Sequence, residues 1–124
     1  MFKIVNKTIL WTRGDIGCME VKTHNEDDTL YNFTTNDIVR FKVMVKGDPD
    51  AVLFMKDTPV EKEGTSMDIN FEKEDSRFDE PIKKPTDYWY EVKLNPDTKP
   101  RTIIGYDESG AKILTLYPEG GEKK

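Results

Sequence analysis

The chain has 124 residues, a net charge of −5, and equal shares, 35% each, of apolar and charged residues. The acidic balance opposes a nucleic-acid-binding surface, which needs clustered Lys and Arg. No apolar stretch approaches the roughly 18 residues of a membrane span. We therefore expect neither nucleic acid nor a membrane among its partners.

Short segments with strand character follow one another along the chain. Val39, Phe41 and Val43 alternate with polar neighbours, as in a strand with one buried face. Residues 88–94 repeat the pattern with aromatic and β-branched side chains, which pack well on a pleated surface. The predicted strands are 8–12, 18–23, 39–45, 52–56, 67–72, 88–94, 102–106 and 111–117.

Turn-forming residues separate these segments at 13–15, 35–37, 47–50, 95–97 and 107–110. No segment has the periodicity of an amphipathic helix. Strands at this spacing predict an all-β fold, an immunoglobulin-like antiparallel β-sandwich of about eight strands, in one domain spanning residues 1–124.

Two stretches fall outside the strand pattern. The charged segment 73–85 contains two prolines and is predicted to be a long surface loop. Residues 118–124 are predicted to be a flexible tail.

One core is expected, because strand residues of the same parity face the same side of a sheet. The single cysteine, Cys18, cannot form an internal disulfide and is predicted to be a small core residue. The residues predicted to share the core are Val39, Phe41, Val43, Ile69, Tyr90, Val92 and Leu116.

The residues offer little for catalysis. The only histidine, His24, precedes a polar run and is predicted to be a solvated turn residue, so no triad is expected and the chain is predicted not to be an enzyme. One Cys and one His are too few for structural zinc, and no cofactor is expected. Calcium is an open alternative, with oxygen ligands from Asp27, Asp28, Asp48, Asp50 and the acids of 72–80.

Residues 13–15 spell Arg-Gly-Asp, a tripeptide that integrins recognise. A strand-connecting turn is the simpler interpretation, with Gly14 supplying a positive φ.

Large aromatic residues are the remaining candidates for a binding surface. Trp11, Trp89, Tyr106 and Tyr117 are the predicted interaction residues, either as a sugar-stacking face or as a subunit interface. Core packing is the favoured role for most of them.

Several runs occur in the order seen in one group of proteins. They are Ile-Leu-Trp-Thr-Arg-Gly-Asp at 9–15, Tyr-Asn-Phe at 31–33, Asp-Ile-Val-Arg-Phe-Lys-Val at 37–43, Tyr-Trp-Tyr-Glu-Val-Lys-Leu at 88–94, Thr-Ile-Ile-Gly-Tyr at 102–106 and Leu-Thr-Leu-Tyr-Pro-Glu-Gly at 114–120. This set resembles small tail- or baseplate-associated β-sandwich proteins of phages and prophages of Gram-positive bacteria. It is also similar to the amino-terminal domain of phage upper-baseplate proteins. The resemblance covers about nine tenths of the chain by strand count, and segment 73–85 departs from it by being longer and more charged.

The resemblance implies a non-enzymatic virion structural protein that joins or decorates a tail or baseplate. Its expected partners are other tail or baseplate proteins, or further copies of itself. The expected location is the virion after synthesis in the bacterial cytoplasm, and the first residues lack the long apolar run of a signal peptide. The alternative function is a carbohydrate-binding module that recognises a bacterial cell surface. The expected sheet edges, and so surfaces for association, are 9–11 and 113–117.

Overall fold

The computed structural model describes residues 1–120, in which nine β-strands and no α-helix form two sheets around one core. The predicted all-β sandwich is confirmed, with β1 as a strand that the sequence pattern did not indicate. The strands are β1 (Phe2–Val5), β2 (Thr8–Thr12), β3 (Gly17–Val21), β4 (Ile38–Val45), β5 (Asp48–Pro59), β6 (Met67–Phe71), β7 (Thr86–Leu94), β8 (Arg101–Ile104) and β9 (Lys112–Tyr117).

The large sheet has the order β1-β2-β9-β7-β4-β5, and β8 pairs with β7 beyond the end of β9. The small sheet consists of β3 and β6. The succession β9-β7-β4-β5 is the G-F-C-C′ order of an immunoglobulin-type sandwich. All pairs are antiparallel except β2 with β9, which is parallel, so the large sheet is mixed and not purely antiparallel as predicted.

The core lies between the inner faces of the two sheets. The seven predicted core residues are confirmed, since each is at most 1% exposed. Phe71 of the small sheet lies with its ring centroid 4.9 Å from those of both Trp11 and Phe41 in the large sheet. Phe41 also stacks on Tyr90 at 5.6 Å. Aromatic contacts of this geometry add to the burial of apolar area that stabilises the sandwich.

Segment 73–85 covers core that the two-stranded small sheet leaves open. It contains no strand, as predicted, but its inner side is packed and not solvated. The ring of Phe78 lies 6.1 Å from that of Phe54 and 5.1 Å from that of Tyr88, and Ser76 is fully buried. The segment therefore takes part of the place that a further strand of the small sheet would fill.

The Arg-Gly-Asp sequence is a structural turn, as predicted. Gly14 has a φ of +90°, and its amide donates to the Ser76 hydroxyl oxygen at 2.6 Å. The ion pair of Arg77 with Glu119, at 2.9 Å, lies against it, so that a Cβ at Gly14 would come within 2.5 Å of the Glu119 carboxylate. Glu119 thus holds the first part of the predicted tail against the domain, while residues 121–124 lie outside the described residues.

Three local predictions are corrected by the structure. Cys18 is exposed, because β3 turns Met19 and Val21 inward and Cys18 therefore faces solvent. The predicted turn 47–50 is shorter, since Val45 pairs with Asp48 and only two residues connect β4 to β5.

The third correction concerns the sheet edges. Segments 9–11 and 113–117 belong to β2 and β9, which have neighbours on both sides. The strands at the ends of the large sheet are β1 and β5. The amino-terminal hairpin causes this difference, because its strand β2 pairs with β9 and its strand β1 lies outside β2.

Candidate interaction face

The outer face of the large sheet carries a cavity of about 400 Å³ over β4 and β7. Its floor follows from strand alternation: neighbouring residues such as Val43 and Tyr90 face the core, so Met44 and Trp89 face outward. We call the cavity and its rim the interaction face. Its lining includes Lys42, Met44, Pro49, Trp89, Glu91 and Tyr106.

Two aromatic rings form one wall of the interaction face. The ring centroids of Trp89 and Tyr106 are 6.0 Å apart, and the ring planes meet at 67°. Trp89 is half-buried on the sheet, whereas Tyr106 is 74% exposed. An edge-to-face pair of this kind is favourable, and it leaves most of the Tyr106 ring in solvent.

The turn between β8 and β9 positions Tyr106. Asp107 and Gly110 exchange two backbone hydrogen bonds, of 3.2 and 2.8 Å. The Lys112 ammonium group donates to the Asp107 carboxylate at 2.7 Å and to the Gly110 carbonyl at 3.1 Å. Hydrogen bonds from Lys112 and from the Ser109 amide hold the pKa of Asp107 below its usual range. The turn that carries Tyr106 is therefore fixed by several polar contacts.

The apolar character of the face extends beyond the cavity. Met44 is 5% exposed and lies on the floor. Val52 and Met55 on β5 are large apolar residues that remain about half exposed, and they pair across the sheet with Met44 and Lys42. Met side chains adapt to irregular partners, and Trp, Tyr and Met are enriched in protein interfaces.

The charged groups of the interaction face are paired with one another. The Lys42 ammonium lies 2.8 Å from the Glu91 carboxylate, and Lys112 is held by Asp107. Among the described residues that line the cavity, Glu91 is the only carboxylate, and none is His, Cys, Ser or Thr. The arrangement suits a ligand that stacks on aromatic rings and fills an apolar hollow, since the charges already neutralise each other.

The part of the chain that the structure describes contains no cluster of metal ligands. Within residues 1–120, no three His, Cys, Asp or Glu side chains lie together in a way that holds an ion. The acids that the sequence offered for calcium lie apart in the chain: Asp27 and Asp28 in the loop between β3 and β4, Asp48 and Asp50 in β5, and the acids of 72–80 in the segment after β6. His24 is exposed, as predicted, and its backbone bridges to Leu30.

The four predicted interaction residues lie in different parts of the structure. Trp89 and Tyr106 are brought together. Trp11 is fully buried in the core, and its indole N–H donates to the Asp15 carbonyl at 2.9 Å, so its assignment to a surface was wrong. Tyr117 has the outward parity of β9, but it pairs with Thr12 at the far end of that strand and does not line the cavity.

Several residues of the interaction face were missed as site residues from the sequence, among them Met44 and Pro49. Met44 carries a signal, because it is an apolar residue at a position whose strand neighbours of the same parity, Arg40 and Lys42, are charged. Pro49 carries no such signal, since its place at the rim depends on the pairing of β5 with β4.

Comparisons with protein-family models, with curated protein sequences and with solved structures return no match to this chain. Residues 1–120 contain no helix with the length and apolar character of a membrane crossing.

Proposed function

We propose that this chain is a non-enzymatic structural module of a phage or prophage tail or baseplate, and that it docks a neighbouring tail protein through the interaction face. The virion assignment depends on the resemblance of its strand sequences to tail and baseplate proteins. The observation that supports docking at this face is the contact of the half-buried Trp89 with the exposed Tyr106 beside an apolar cavity of about 400 Å³.

The interaction face is a better docking surface than the neighbouring β5 edge of the large sheet. The edge strand β5 contains Pro49, Asp57 and Pro59, and prolines and charges of this kind discourage pairing with another strand. The interaction face instead offers aromatic and Met side chains at its centre, with paired charges around them. That is the composition of an interface core within a polar rim.

Light scattering and calorimetry test the proposal with the full chain and each co-encoded tail protein. A complex should form with at least one of them, and Trp89→Ala and Tyr106→Ala should each weaken it by about tenfold or more, as removal of an interface anchor does. Ile16→Ala is the matched control, because Ile16 is 71% exposed but lies outside the cavity lining. A strict monomer that binds none of these proteins contradicts the proposal.

The second candidate function is carbohydrate binding at the same face. It is favoured by the proximity of two aromatic rings to the polar groups of Lys42 and Glu91. Two features favour protein docking instead. The rings meet at 67° and do not form a flat platform, and Lys42 and Glu91 bind each other. A glycan array in which wild type binds and Trp89→Ala does not would favour the carbohydrate function.

A further inference from the structure

A second cavity, of about 380 Å³, lies where the end of β7 meets the start of β8. It shares no lining residue with the interaction face. It is lined by Tyr31, Leu94, Asn95, Lys99, Pro100 and Arg101. Two of these side chains are cationic and none is a carboxylate, although the chain as a whole has a net charge of −5.

Arg101 is the central feature of this cavity. Its guanidinium carbon lies 4.7 Å from the centroid of the Tyr31 ring, in a cation–π contact. Its Nε and Nη2 atoms are buried and have no hydrogen-bond partner among residues 1–120. A buried donor without a partner has lost its hydrogen bond to water and gained no other hydrogen bond, so an acceptor that reached it would restore one.

Another arginine of the chain shows what the Nε and Nη2 edge of a guanidinium binds. Arg40 uses its Nε and Nη2 atoms to hold the two carboxylate oxygens of Asp57, at 2.7 and 3.0 Å. These two nitrogens form the planar fork that matches a carboxylate. The corresponding edge is the one that Arg101 leaves without a partner.

The neighbouring acid does not fill this role. Asp37 is 5% exposed and its oxygens are already engaged. Its Oδ1 accepts a hydrogen bond from Asn95 at 2.9 Å, and its Oδ2 accepts from the Tyr31 hydroxyl at 2.7 Å and the Thr34 amide at 2.9 Å. Asp37 therefore holds Tyr31 in place beneath Arg101 and leaves the guanidinium to another acceptor.

We propose that this cavity binds a carboxylate group, with the Arg101 fork as the principal contact and the Lys99 ammonium as a second. Binding turns the covered Nε–Nη2 edge of Arg101 toward the cavity. Acidic side chains of a peptide and uronic acids of a glycan present the same carboxylate, so the test includes one probe of each. The proposal is independent of docking at the interaction face.

The experiment is a titration of the full chain followed by ¹⁵N NMR, observing the arginine Nε–H signals and the amides of Tyr31 and Lys99. The probes are acetate, N-acetylaspartate and glucuronate, with sodium chloride at matched ionic strength as the reference. We expect a saturable shift of the Arg101 signal in the millimolar range with at least one carboxylate and none with chloride. The preferred probe then identifies the source of the carboxylate.

Variants separate a specific site from general attraction. Arg101→Gln should abolish saturation, and Arg101→Lys should weaken binding by about tenfold because it keeps the charge but loses the fork. Lys99→Gln should weaken it by about two- to fivefold, as the loss of an exposed ion pair does. Lys46→Gln is the charge-matched control and should bind as wild type. Shifts that do not saturate, or saturable binding that persists in Arg101→Gln or is unchanged in Arg101→Lys, overturn the proposal.

Discussion

The hydroxyl group of Tyr90, deep in the core, donates a hydrogen bond to the backbone carbonyl of Lys7 at 2.5 Å. Lys7 and Asn6 form the two-residue turn between β1 and β2, and both have positive φ values, of +67° and +49°. Such a turn matches the twist of a hairpin but strains a residue like Lys. The contact therefore joins the central strand β7 to a strained hairpin turn, with Lys7 lying 83 residues before Tyr90 in the chain.

Tyr90→Phe removes this bond and leaves the Lys7 carbonyl without it. We expect a loss of about 1–2 kcal/mol in the free energy of unfolding at pH 7, from urea denaturation. Burial raises the pKa of Tyr90 well above its usual range. The folded state thus keeps a proton that the unfolded chain loses above about pH 10, and wild-type stability falls as pH rises past that value.

The slope due to this one tyrosine is about 1.4 kcal/mol per pH unit, and Tyr90→Phe should lack that contribution. Tyr106→Phe is the control for loss of an exposed tyrosine hydroxyl. Equal alkaline slopes in wild type and Tyr90→Phe would show that the tyrosine titrates alike in both states.

Lys7→Gly should stabilise the protein. Asn-Gly is the preferred pair for a hairpin turn with two positive φ values, since glycine adopts this conformation without steric cost. We expect the free energy of unfolding to rise by about 0.5–1 kcal/mol. Glycine relieves the left-handed strain, but its flexibility in the unfolded chain offsets part of that benefit. Lys3→Gly, within β1, is the opposite control and should destabilise. A neutral or negative effect at Lys7 would contradict the strained turn.

Asp37→Asn tests the buried carboxylate beside β4. Burial by itself raises the pKa of Asp37, but hydrogen bonds from Asn95, the Thr34 amide and Tyr31 outweigh it and hold the pKa below its usual range. The stabilising contribution is thus present above the unfolded pKa of about 3.9 and is lost as pH falls through the lower folded value.

The Asn variant should lose about 1.5–3 kcal/mol at neutral pH, because hydrogen bonds to a charged acceptor are replaced by weaker ones. Its stability should also decline less than that of wild type between pH 5 and pH 2, measured by thermal unfolding. Asp50→Asn, at an exposed position, should follow the wild-type profile. Parallel pH profiles for Asp37→Asn and wild type would mean that the pKa of Asp37 is the same in the folded and unfolded states.

Phe78→Ala tests whether segment 73–85 is part of the core. Because the Phe78 ring packs on Phe54 and Tyr88, its removal should cost about 2–3 kcal/mol, somewhat less than the 3–5 kcal/mol expected for the fully buried Phe41→Ala. Lys83→Ala, exposed in the same segment, should change stability by no more than about 0.5 kcal/mol. An unchanged denaturation midpoint for Phe78→Ala would show that segment 73–85 is a solvated loop and not part of the core.

Gly14→Ala tests the structural role of the Arg-Gly-Asp turn. A methyl group there meets both an unfavourable φ and the Arg77–Glu119 pair, so we expect a loss of more than about 2 kcal/mol. Gly110→Ala is a matched control, because its φ of +97° is similar but nothing lies within 4 Å of the added Cβ. It should lose only about 1 kcal/mol. Equal losses at the two positions would show that the ion pair moves aside freely.

The order of residues along the chain was enough to predict most strands with one buried face and seven inner residues of the core. Alternation has a period of two, and burying one face of a strand fixes which residues face inward, so Val39, Phe41 and Val43 could be assigned from their order alone. Local turn chemistry also identified Gly14. These features depend on residues close together in the chain.

The pairing of strands and the surfaces that the loops cover depend on the folded structure. Strand β2 lies beside β9 because of contacts across about a hundred residues of chain, and no local pattern encodes that pairing. The sequence could not show which of Trp11 and Trp89 is buried, because both are tryptophans in alternating strands. Trp11 faces the small sheet, whereas Trp89 lies on the outer face of the large sheet. The interaction face and the Arg101 cavity likewise arise where distant segments meet, because a site is defined by spatial neighbours, which the fold brings together.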